Sequence, residues 1–207
     1  MKNKETRVFD FEMRAEQNEA HGHFVEGRPI VFNQETDLGW FTERIAPTAL
    51  DNTDLRDVRF LVNHDVSMIP LARSRNNNEN STMQLSVDEE GMKIRVDLDV
   101  EGNTDARNLY SAISRGDVTG MSFMFITDKA SWEGIDTEHP IRTIESISKV
   151  FEVSAVTFPA YEQTSIEAAS AEETLESAKS VLESAREEQR KQEARERIRN
   201  ILKGVSA

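Results

Sequence analysis

The chain has 207 residues, a formal charge of −13 from 25 Lys and Arg against 38 Asp and Glu, and 37% apolar content. That balance argues against a protein that grips nucleic acid by neutralising phosphates, and the lack of cysteine removes disulfides and Cys-based zinc sites. The polar start MKNKETRVFDFEMRAE has no signal-peptide core, and no stretch reaches the roughly 18–20 apolar residues that span a bilayer, so a soluble protein made without export is expected.

In chain order, RVFDFEMRAE reads as a strand with Phe9, Phe11 and Met13 on one face. FVEGRPIVFN is a second strand, bent or bulged at Gly-Arg-Pro. DVRFLVNHD follows, with Val58, Phe60 and Val62 alternating. TMQLSVDEEGMKIRVDLDV predicts a hairpin around an Asp-Glu-Glu-Gly turn. TDARNLYSAISRGD predicts a helix that buries Ala106, Leu109 and Ile113, is capped by Asn103 or Thr104, and stops at Gly116. VTGMSFMFI, IRTIESISKV and FEVSAVTF are further strands, with a loop over 127–140. Many short strands with one or two helices predict an α+β fold, mainly β, built as an antiparallel or mixed barrel.

Composition shifts near residue 165. All five prolines and every glycine but Gly204 precede it, and strong helix formers follow. The reading is a folded domain over 1–165 and a charged helical tail over 166–207. Leu175, Val181 and Leu182 give the tail one weak apolar stripe, and Ile198, Ile201 and Leu202 another. Apolar heptad positions between them are missing, so a sustained coiled coil is not expected. A solvated helix with i,i+4 ion pairs and a partner-docking segment are the two readings.

Three side chains carry the candidate chemistry. Ser122 interrupts the apolar run TGMSFMF. Alternation sends Met121, Phe123 and Phe125 to one face and Gly120, Ser122 and Met124 to the other. His64 ends the strand DVRFLVNHD, and is better anchored than His21, His23 or His139, which lie in turns and loops. Glu152 sits in FEVSAVTF on the face it shares with Ser154 and Val156, where a carboxylate needs a partner. A hydroxyl, an imidazole and a carboxylate suit nucleophilic catalysis: the imidazole takes the hydroxyl proton and the carboxylate fixes its tautomer. By residue type alone, Ser122 and His64 are equally hydrogen-bonded structural residues and Glu152 an edge-strand acid exposed to solvent, and spacing does not bring positions 64, 122 and 152 together.

The words GWFTERIAPTAL, DVRFLVNHDVSMIPLARS, DEEGMKIRVDLD, ISRGDVTGMSFMF, a Trp in the next loop, and FEVSAVTFPAYEQT occur in this order. The series, over about residues 24–165, resembles the HK97-type prohead proteases of tailed phages. That resemblance implies kinship with herpesvirus assemblin, hence an assemblin-like β-barrel flanked by helices. It implies a serine endopeptidase with Ser122 as nucleophile, His64 as base and Glu152 as third member, Asp65 being the competitor for that last role. It further implies no cofactor or metal, action in the host cytoplasm inside the assembling prohead, and capsid or scaffold segments and the chain itself as substrates. A homodimer, and a tail that targets the enzyme and is then clipped, belong to the same picture. Two positions depart from the family's usual pattern: Met124 stands where glycine is usual, and Ala72 replaces glycine in PLARS. The alternative is a weak or inactive protease-like assembly factor.

Overall fold

The computed structural model describes residues 4–10, 13–18, 22–157 and 169–204. Strands dominate. They run β1 (Glu5–Asp10), β2 (Arg14–Asn18), β3 (Gly22–Val31), β4 (Thr36–Asp37), β5 (Thr42–Ile45), β6 (Asp57–Val62), β7 (Ala72–Arg75), β8 (Met83–Asp88) and β9 (Gly91–Asp97). Helix α1 (Thr104–Arg115) separates these from β10 (Gly120–Glu133) and β11 (Ile141–Val156), and helix α2 (Ala169–Gly204) follows.

The larger sheet is built on the antiparallel hairpin of β10 and β11, with the order β1-β10-β11-β5-β4. Strand β11 also pairs in parallel with β6, which carries β7 on its far side. A smaller antiparallel sheet has the order β2-β3-β9-β8. Met121, Phe123 and Phe125 on β10 are fully buried in one core with Ile30, Met92, Ile94, Val150 and Val153. Gly27 lets the two sheets meet closely, because a Cβ there would stand 2.4 Å from Met121 Sδ.

The barrel expectation is corrected: among the described residues the two sheets stay open. Closure needs a continuous ladder. Where β7 and β8 come together, side chains replace it. Arg73 N–H donates to Thr82 Oγ1, Arg75 N–H to Ser81 Oγ, and Leu85 N–H to Asn77 Oδ1.

The hairpin at 83–97, the bulge in β3 after Gly27 and helix α1 lie where the sequence predicts them. Asn103 is the cap, its Oδ1 accepting from the N–H groups of Asp105 and Ala106, and Gly116 closes the helix with φ 77°. The predicted first strand instead corresponds to two strands, β1 up to Asp10 and β2 from Arg14, one in each sheet, and Phe11 falls outside the described residues. The first half of the expected loop over 127–140 is strand, since β10 continues to Glu133, and only the stretch from there to β11 is loop.

Helix α2 is neither wholly solvated nor wholly docked. Ala178 and Leu182 are buried against Leu38 and Phe41, beside Trp132 and Ile135. The Arg186 guanidinium donates to the carbonyls of Ile135 and Thr137, and Gln189 to Asp136. Residues 190–201 are exposed, Ile198 and Ile201 among them.

Candidate active site

Strand β6 brings His64 to the site and a tight turn aims it. Asn63 and His64 both adopt left-handed backbone, φ 49° and 58°, a conformation that costs a non-glycine residue and needs anchoring. Asn63 provides the anchor. Its N–H donates to Ala155 O, its Nδ2 to Thr157 Oγ1, and its Oδ1 accepts from Thr157 N–H. The chain thus reverses against the end of β11, and the imidazole falls onto that strand.

There, His64 Nδ1 donates to Glu152 Oε1 at 2.6 Å. A carboxylate only accepts, so Nδ1 carries the proton and Nε2 of the neutral ring keeps its lone pair. Both side chains are 3% exposed, and Nε2 is buried without a hydrogen-bond partner among the described residues. Glu152 Oε2 accepts from Ser154 Oγ at 2.5 Å, and Ser154 Oγ accepts from the backbone N–H of His64 at 3.2 Å. Asp65 points elsewhere, accepting from the N–H and hydroxyl of Ser67. Those hydrogen bonds hold its carboxyl below the usual value.

Ser122 stands one strand away. The ladder sets it directly opposite Ser154, and Met124 opposite Glu152. Directly paired residues share a sheet face, with Cβ atoms about 4.5–5.5 Å apart. Ser122 therefore lies on the face that carries Glu152 and Ser154. It is fully buried, and its hydroxyl donates to the carbonyl of Arg7 on β1 at 2.7 Å. The sequence correctly turns Ser122 away from the aromatic face, but does not foresee that β1 covers it: Val8 pairs with Ser122 across the ladder.

On the opposite face, where Arg7 pairs with Phe123 and Glu5 with Phe125, lies a buried ion cluster that sequence patterning missed. Arg7 Nε donates to Glu43 Oε1 at 2.5 Å and Arg7 Nη2 to Glu5 Oε2 at 2.8 Å. Arg142 Nη1 reaches both carboxylates, at 2.5 Å to Glu5 and 2.8 Å to Glu43, and Thr127 Oγ1 donates to Glu5 at 2.7 Å. Burial alone would raise the Glu5 carboxyl; the charges of Arg7 and Arg142, with hydrogen bonds from Arg142 and Thr127, outweigh it and bring the group down to about 2. The cluster ties β1 to β5, β10 and β11.

A model of the caudovirus prohead serine protease family matches residues 9–179, most of the chain. This chain belongs to that family. The prohead protease of Enterobacteria phage HK97 is 30% identical to it over 159 residues, which are 75% of this chain and 64% of that protein. The aligned part thus spans under two thirds of the relative's length. Among solved structures, the bacteriophage T4 capsid assembly protease overlaps 73% of this chain and 98% of its own, at 13% identity and a TM-score of 0.37. The family match begins at residue 9, so Glu5, Arg7 and Val8, the part of β1 nearest Ser122, precede it.

Proposed function

We propose that this family member is a serine endopeptidase that cleaves scaffold or capsid-protein segments, and itself, inside the assembling phage prohead. The supporting observation is the His64–Glu152 pair. Its tautomer is fixed through Nδ1, its Nε2 is left without a partner, and it lies on the sheet face that also carries Ser122.

In this mechanism the Ser122 hydroxyl leaves the Arg7 carbonyl and turns to His64 Nε2. Oγ attacks the scissile carbonyl while its proton passes to Nε2. Glu152 holds the resulting imidazolium. Collapse of the tetrahedral intermediate breaks the C–N bond, and the Nε2 proton goes to the leaving amine. Water, deprotonated by the same nitrogen, then releases the acyl group from Ser122. Met124, beside Ser122 and half-buried, narrows the approach where the family usually has glycine.

The division into a protease domain over 1–165 and a targeting tail over 166–207 belongs to the same proposal. It is supported by the exposed residues 190–201 but modified by the docking of Leu182 and Arg186, which makes the near half of α2 part of the folded body. Kinship with assemblin and pairing of two copies remain part of the proposal.

Treatment with a fluorophosphonate, followed by peptide mass mapping, tests the chemistry without knowledge of the substrate. Labelling at Ser122, abolished in His64→Ala, is the expected result. A full-length protein that stays unmodified under conditions that label other serine proteases would defeat it. The second reading, an inactive assembly factor, is favoured by one observation: the Ser122 hydroxyl is buried and already bonded to Arg7.

A further inference from the structure

We infer that Ser154 is a positioning residue for the His64–Glu152 pair, an assignment that rests on the proposed Ser122 chemistry. Its hydroxyl is fully buried and, among the described residues, has two partners, both of them in that pair. As donor it holds Glu152 Oε2; as acceptor it holds the His64 backbone N–H. The two bonds do different work.

Glu152 projects from the last third of β11 on three rotatable bonds. One hydrogen bond, to the imidazole, would leave the carboxylate free to pivot about Oε1. The second, from Ser154 to Oε2, fixes both oxygens and so fixes the plane in which Nδ1–H is received. Strand alternation makes this possible, because positions 152 and 154 share a face and the longer side chain folds back onto the shorter.

The bond from His64 N–H acts on the other partner. Residue 64 has left-handed backbone and lies beyond the last ladder pair of β6, Val62 with Ala155. Its buried N–H therefore finds no strand carbonyl, and Ser154 Oγ supplies the acceptor. An unmet buried donor is destabilising, enough to let the turn relax and withdraw the ring. One hydroxyl thus sets the approach of the imidazole and the orientation of the carboxylate together. Ser122, the residue that the proposed chemistry needs beside this pair, is opposite Ser154 in the ladder.

The test compares fluorophosphonate labelling rates across pH for the full-length protein and for Ser154→Ala, Ser154→Thr and Ser148→Ala. Ser148 is a serine of the same strand whose hydroxyl donates to the Ile126 carbonyl. Misplacing a reacting group by about 1 Å costs roughly 100-fold, so Ser154→Ala is expected to label about 10- to 100-fold more slowly. The apparent pKa of its acid limb should also move. Ser154→Thr, which keeps the hydroxyl, should recover most of the rate, and Ser148→Ala should not change it.

A Ser154→Ala protein that labels at the wild-type rate with an unmoved pH profile overturns the inference while leaving the Ser122 reading intact. Equal losses in the Ala and Thr variants do the same, by assigning the effect to packing. Absence of labelling in the wild-type protein strikes the Ser122 reading itself. If Ser154→Ala fails to fold, Ser154→Cys replaces it: sulfur fills the space but is a weak donor and acceptor, so the same slow labelling is expected and a wild-type rate overturns the inference.

Discussion

Ser122 Oγ donates to the carbonyl of Arg7 at 2.7 Å, so the residue proposed as nucleophile spends its proton on the first strand of the chain. The same Arg7 anchors that strand to β5 through Glu43. Loosening the anchor should free the hydroxyl. Arg7→Met is expected to label faster with a fluorophosphonate than wild type, and to lose about 3–5 kcal/mol of stability through the carboxylates left behind. Chemical denaturation measures the second effect. A folded Arg7→Met protein that labels no faster would show that the Arg7 bond does not restrain Ser122.

Glu152→Gln keeps the shape of the side chain and reverses its hydrogen-bond logic. With its carboxamide oxygen bonded to Ser154, the NH2 group faces His64. Nδ1 must then accept, which moves the ring proton to Nε2, the nitrogen that has to take the Ser122 proton. The expected loss of labelling rate is on the order of 10³- to 10⁴-fold, with melting temperature little changed. Stopped-flow labelling and a thermal melt check the two halves. A rate within about tenfold of wild type would remove Glu152 from the chemistry.

The ion cluster predicts an acid-sensitive first strand. The Glu5 carboxyl lies at about 2, against an ordinary 4.5. A lowered carboxyl contributes stability that is fully present above the ordinary value and is lost as pH falls towards the folded one. The stability advantage of wild type over Glu5→Gln should therefore be constant above pH 4.5 and shrink between there and about pH 2. Denaturant melts at several pH values measure it. Comparison with the variant isolates Glu5 from other acids such as half-buried Asp54 and exposed Asp88, which are also lowered, chiefly by hydrogen bonds from Arg56 and Arg28 respectively.

What could be read in advance divides along physical lines. Local rules sufficed for Asn103 as a cap, Gly116 as a stop and Met121, Phe123 and Phe125 as core, because each depends on neighbours a few residues away. The order of short motifs that resemble the family's pointed to positions 64, 122 and 152, and the His64–Glu152 contact links residues 88 positions apart that no periodicity connects. Ser154 was visible as a face-mate of Glu152, yet its second bond depends on the turn at Asn63. The ion cluster was hidden because Glu5 and Arg7 read as a polar strand start, and only the pairing of β1 with β10 buries them. The open sheets were missed because strand count does not say which edges pair.

The tail supplies the last prediction. Leu182 is 4% exposed and packs with Ala178 on Leu38 and Phe41, while Phe41 meets Trp132 edge-on with ring centroids 4.9 Å apart. Lys179 lies over Trp40, 5.6 Å from its ring centroid. Both tryptophans of the chain therefore report on whether α2 is seated. Leu182→Ala removes a buried side chain and is expected to cost about 2–5 kcal/mol, or less if the helix simply lifts away. Either way tryptophan emission should shift to the red. Deleting residues 191–207 removes helix that is exposed over 191–201, and should leave emission and melting temperature as they are. A red shift from that deletion, with none from Leu182→Ala, would place the helix–domain contact further along α2 than Leu182 and Arg186 and disprove the seating described for its near half.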